Sequence, residues 1–158
     1  MNKFLEIAPM VKPPNSRIAL PQERLLQLDR LKDHYEASSV SQAIRAMITH
    51  LAELGVIEHE IPGIEIRKIG KHVSVMFDEG ERVAFTSEGA QALVGHIRER
   101  LATKGRQGPL INIDHGYTLR GAGGAVAIEI GGVEKKLAPD VIDEFADLIE
   151  AQIKHSDD

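Results

Sequence analysis

The sequence predicts an α+β protein made of two units with different patterning. Residues 15–57 hold one extended segment followed by two amphipathic helical stripes, whereas residues 61–158 alternate period-two strands with longer period-3.6 helices. Between the units, Glu58-His59-Glu60-Ile61-Pro62-Gly63 interrupts both patterns with charge, proline and glycine. Residues 1–14 precede the first unit. Pro9, Pro13 and Pro14 disfavour a helix there, so a flexible arm is expected.

In the first unit, Ser16-Arg17-Ile18-Ala19-Leu20 sets Ile18 and Leu20 against Arg17 and Ala19, an alternation that suits a strand with one buried face. Pro21 cannot donate to a ladder, but its fixed φ suits the first turn of a helix, and Glu23 supplies an acid where the helix dipole favours one. Leu25, Leu28, Leu31 and Tyr35 then form a single apolar stripe. Ser39 followed by Gln42 has capping-box spacing, with Ser41 as a competing cap, and a second helix carries Ile44, Met47, Ile48, Leu51 and Leu54 up to Gly55. A strand and two short helices bury too little apolar surface to stand alone, and a lone strand leaves backbone groups unpaired. Two copies pairing their strands antiparallel would satisfy both needs, so a homodimer is expected.

The stretch Arg17-Ile18-x-Leu20-Pro21-x-Glu23, with Leu28-x-x-Leu31 and Ser39-x-Ser41-x-x-Ile44-Arg45-x-x-Ile48, resembles the ribbon-helix-helix superfamily of the Arc and MetJ repressor type. The resemblance covers about a quarter of the chain. It implies an intertwined dimer whose paired ribbon lies in the major groove of duplex DNA. By position, Asn15, Arg17 and Ala19 would face the bases, and Ser39, Val40 and Ser41 would hold a phosphate at the second helix's N-terminus. Arginine can bond a guanine edge twice and asparagine an adenine edge twice, whereas Ala19 offers only apolar contact where relatives usually place a polar side chain. Ala37-Ser38 also stands where relatives carry a glycine before the second helix. Lys12, in the arm, is placed to reach the DNA backbone.

Composition fits a soluble protein. The chain has 158 residues, is 42% apolar and 27% charged, and contains no cysteine, which excludes disulfides and thiolate chemistry. With 4% aromatics and no tryptophan, it lacks the stacking platforms of single-strand binders, so a nucleic-acid partner is expected to be duplex. Residues 1–55 carry seven Lys/Arg against six Asp/Glu, and residues 56–158 twelve against eighteen; balances of +1 and −6 make up the total of −5. The positive half has the sign that phosphate binding needs, at small magnitude. Phe4-Leu5-Glu6-Ile7 is too short for a signal sequence or a membrane span, so a cytoplasmic protein without a membrane partner is expected.

In the second unit, Ile64 and Ile66, then Val73, Val75 and Phe77, then Val83 and Phe85 read as a three-stranded meander, closed by a helix with Ala90, Leu93, Val94, Ile97 and Leu101. Tyr117 and Leu119, then Val126, Ile128 and Ile130, then Val133 to Leu137 repeat the order, and Pro139 opens a helix with Val141, Ile142, Phe145, Leu148, Ile149 and Ile153. Arg67, Gly70, Val73, Val75 and Phe77 match Arg120, Gly123, Val126, Ile128 and Ile130 at an offset of 53. Phe85, Leu93, Ile97 and Leu101 match Leu137, Phe145, Ile149 and Ile153 at 52. An internal duplication with halves 61–104 and 110–154 is expected. The halves should associate to bury their apolar faces, either within one chain or across the dimer.

No constellation points to catalysis or a cofactor. Arg120-Gly121-Ala122-Gly123-Gly124 lacks the following helix of a phosphate loop and reads as a hairpin turn. Asp114-His115 reads as turn chemistry with Asp114 capping. His59, His72, His96 and His115 form no short metal-binding pair. Asp140, Asp143, Glu144 and Asp147 read as a solvating helix face. The expected function is a homodimeric transcriptional repressor whose second unit strengthens assembly, up to higher oligomers, or receives a protein or small-molecule effector. The alternatives are a plasmid or phage maintenance protein arrayed on DNA repeats and an antitoxin-like interaction adaptor.

Overall fold

Pro21 serves as N-cap of α1 (Gln22–His34), with its carbonyl accepting from the amides of Arg24 and Leu25. The computed structural model describes residues 17–104 and 107–154. Tyr35 ends α1, and Glu36 takes the left-handed conformation (φ 53°) that favours glycine, while the Ala37 amide returns to the Lys32 carbonyl. α2 (Val40–Glu53) follows and stops at Gly55, whose φ of 76° fits the expected terminator.

The second unit has strands β1 (Ile64–Ile69), β2 (His72–Phe77) and β3 (Val83–Phe85), then α3 (Ser87–Ala102). β4 (Leu110–Asn112), β5 (Tyr117–Ala122), β6 (Ala125–Ile130), β7 (Val133–Leu137) and α4 (Pro139–Lys154) complete it. Two antiparallel sheets result, ordered β1-β2-β3 and β4-β5-β6-β7. The protein is therefore α+β. Among the described residues no helix is long and apolar enough to cross a membrane.

Registers in the two sheets correspond. Ile64 faces Phe77 as Tyr117 faces Ile130, and Val73 faces Phe85 as Val126 faces Leu137. The expected meanders are present, but the second sheet has an additional edge strand, β4, that sequence periodicity did not indicate. Three residues between Pro109 and a turn are too few to display an alternation. Gly123 and Gly124 form a two-residue hairpin turn after Ala122, so this glycine run is a strand connection as expected. In the β4–β5 turn, the Asn112 side chain caps the His115 amide at 2.9 Å, so Asn112 takes the capping role expected of Asp114. The position two residues earlier leaves its side-chain oxygen within reach of that amide.

The sheets and α3 and α4 share one core within a single chain. Phe77 of the first half packs on Phe145 of the second with ring centroids 5.8 Å apart, and Phe85 meets Tyr117 at 6.2 Å. Both fall in the range where tilted aromatic pairs attract. Buried Val75, Leu93, Ile97, Leu119, Ile128, Ile142 and Ile149 fill the space between them. Arg100 is also buried. Its guanidinium donates to the carbonyls of Gln107 (3.3 Å) and Gly108 (2.7 Å), tying the end of α3 to the approach to β4.

The first unit has no comparable interior. α1 buries no residue, and α2 buries only Ala43. Leu25, Leu26, Ile44, Ile48, Leu51 and Leu54 remain exposed. These apolar stripes lack a cover among the described residues.

Candidate nucleic-acid interface

Arg17, Ile18, Ala19 and Leu20 are exposed and belong to no helix or strand, with Ile18 at 80% of its full accessibility. Within this single chain they join no sheet, so the expected strand is absent here; a ladder requires a second strand to pair with. Asn15 and Lys12 lie outside the described residues. Arg17 and Ala19 are both open to solvent beside the start of α1.

Ser39, Val40 and Ser41 come together at the head of α2 because Ser39 holds an extended conformation (φ −150°, ψ 163°) and its hydroxyl accepts from the Gln42 amide at 3.1 Å. Gln42 completes the cap one residue earlier than the capping-box spacing implies. Its side-chain oxygen accepts from the Ser38 amide at 3.0 Å and the Ser38 hydroxyl at 2.7 Å. The cap satisfies the Gln42 amide and leaves the positive end of the helix dipole at Ser39–Ser41, a location that favours an anion.

That end of α2 meets α4. The Ser41 hydroxyl donates to Asp140 Oδ2 at 3.1 Å, and one turn further along, Arg45 donates to Asp143 Oδ2 at 2.7 Å and Asp147 Oδ2 at 2.6 Å. Asp140 Oδ1 lies 3.5 Å from the same guanidinium. Partial burial disfavours the Arg45 charge, but the hydrogen bond to Asp143 and the fields of Asp143, Asp147 and Asp140 outweigh it and raise its pKa above the usual arginine value. The acidic run is thus not simply a solvating helix face: Asp140, Asp143 and Asp147 grip Arg45, and Arg98 of α3 holds Asp147 Oδ1 at 2.8 Å from the other side. Sequence reasoning missed this contact because its partners lie about a hundred positions apart. Its signals were the i,i+4 placement of Ser41 and Arg45 and the three-four spacing of the aspartates.

Glu144, beside this cluster, is 4.0 Å from His59 Nε2. Burial pushes its carboxyl pKa up, and the attractions of Arg45 and His59 only partly offset that effect. Elsewhere, Tyr117 is buried with its hydroxyl 2.5 Å from His96 Nδ1 and accepting from Asn112 at 3.1 Å. Burial raises the phenol pKa, and the Asn112 hydrogen bond acts in the opposite direction. These groups stitch α3 to β4 and β5. No three metal-type side chains converge among the described residues.

Compared with protein-family models, curated proteins and solved structures, the chain gives no significant match to any of them.

Proposed function

We propose that the protein is a homodimeric, site-specific duplex-DNA binder acting as a transcriptional repressor. The carrying observation is an exposed Arg17–Leu20 segment leading into two helices whose apolar stripes have no cover among the described residues of one chain. A second copy supplies both missing partners: its extended segment completes a two-stranded ribbon, and its helices cover Leu25, Ile44, Ile48 and Leu51. The ribbon then presents Asn15, Arg17 and Ala19 together with their symmetry mates. Arg17 reads a base edge, and the head of α2 at Ser39, Val40 and Ser41 takes a phosphate. Repression needs only occupancy of DNA, so no chemical step is assigned.

We read the second unit as an internal duplication of strand–strand–strand–helix. The matching registers of β1–β2–β3 and β5–β6–β7 support this reading, with β4 as an addition to the later half. It serves as an assembly or regulatory body appended to the DNA-binding dimer.

The test uses the full-length protein and duplexes that it selects from a random-sequence library. Arg17→Ala should weaken binding to the selected duplex by roughly 1–3 kcal/mol while leaving the dimer intact by light scattering. Equal affinities for parent and variant would refute base reading by Arg17. A library that yields no enriched duplex at low salt would refute site-specific DNA binding altogether.

A further inference from the structure

The contact between α2 and α4 falls on the part of α2 that the DNA-binding reading assigns to phosphate. Ser41 donates to Asp140, and Arg45 is held by Asp143 and Asp147 at 2.7 and 2.6 Å. Asp140, Asp143 and Asp147 follow one another at spacings of three and four along α4, so their side chains form a row with neighbours about 5–6 Å apart at Cβ. A row of carboxylates on one face places negative charge in line, as a phosphodiester strand does. One end of the row is braced from behind: Arg98 of α3 binds Asp147 at 2.8 Å and the next carboxylate along α4, Glu150, at 2.5 Å, so Asp147 is held from α3 as well as from α2.

We infer that α4 is an internal phosphate mimic, which occupies the head of α2 and must be displaced before that helix can grip DNA. This inference rests on the DNA-binding reading and names the regulation of the same site. Asp140 sits where a phosphate oxygen would accept from Ser41, and the pair cannot coexist with DNA phosphate because two anions would share one donor and one positive helix end. The clasp is built to be reversible. Its ion pairs are partly exposed, with Asp143 and Asp147 side chains 41% and 51% accessible, and such pairs are individually weak and screened by salt. DNA, with many phosphates and counterions to release, competes on favourable terms.

The double variant Asp140→Asn with Asp143→Asn removes two charges from the clasp and leaves Asp147 on Arg98. Binding to a labelled duplex selected by the parent protein should tighten by about tenfold. The salt dependence should also steepen, because the parent exchanges internal ion pairs for DNA contacts and so gains less from counterion release. Without DNA, amide exchange across residues 40–45 should quicken in the variant. Asp143→Asn alone should shift affinity in the same direction by less, which covers the case in which the double variant folds poorly. Equal or weaker affinity with an unchanged salt slope would overturn the mimicry while leaving duplex binding in place. Absence of binding by parent and variants alike at low salt would remove both.

Discussion

Ile48 lies near the middle of the α2 stripe and retains 40% of its accessibility in the single chain. That remainder amounts to roughly 70 Å² of apolar surface. At about 25 cal/mol per Å², covering it stabilises a dimer by about 1.8 kcal/mol per protomer. A two-fold interface counts the residue twice, so Ile48→Asp forfeits about 3.5 kcal/mol before the cost of placing a carboxylate among Ile44, Leu51 and their mates is added. The dimer dissociation constant should therefore rise by at least two to three orders of magnitude. Sedimentation velocity over a dilution series measures this directly. The second unit supplies an internal control, since Ile48 is not part of its buried core, which should unfold at an unchanged denaturant midpoint. A parent protein that sediments as a monomer at high concentration would refute the reasoning, as would a variant dimerising as tightly as the parent; either result would mean that the exposed stripe is not an interface.

Two further outcomes probe the second unit. Gly131 (φ 62°) would place a Cβ 2.1 Å from the Glu81 carbonyl oxygen, whereas the adjacent Gly132 (φ 80°) has open space around it. Gly131→Ala should cost roughly 2–4 kcal/mol in urea unfolding and Gly132→Ala about 1–2, and equal losses would show that the close approach to Glu81 is unimportant. Glu144→Gln should stabilise the fold in a pH-dependent manner. Because the folded carboxyl titrates above its ordinary value, the native state binds the proton more tightly than the unfolded chain and is penalised once both have ionised. The variant's advantage should vanish in acid below the ordinary carboxylate range, appear as pH rises through the interval between unfolded and folded values, and be complete above it; the same advantage at every pH would contradict the burial argument.

Local signals made much of this architecture readable. α1 starts where Pro21 permits and α2 where Ser39 caps, and the stripes of α3 and α4 point Leu93, Ile97, Phe145 and Ile149 into the core as their spacing requires. The strands of the two meanders emerge from alternation and glycine turns, which depend on neighbours a few positions away. Features set by distant partners were not readable. Arg45 meets Asp143 98 positions later, Arg100 is buried because a loop offers carbonyls, and β4 exists because β5 provides a ladder. For the candidate interface, Arg17 and Ala19 are exposed and Ser39, Val40 and Ser41 stand at the start of α2, while the engagement of Ser41 by Asp140 has no trace in the periodicity of either helix.

The cross-packing of Phe77 on Phe145 and of Phe85 on Tyr117 binds the later unit into a single cooperative body. Splitting the polypeptide in the 104–109 connection would give two fragments, each with its aromatic rings in water, so neither piece has a reason to keep its shape until it finds the other.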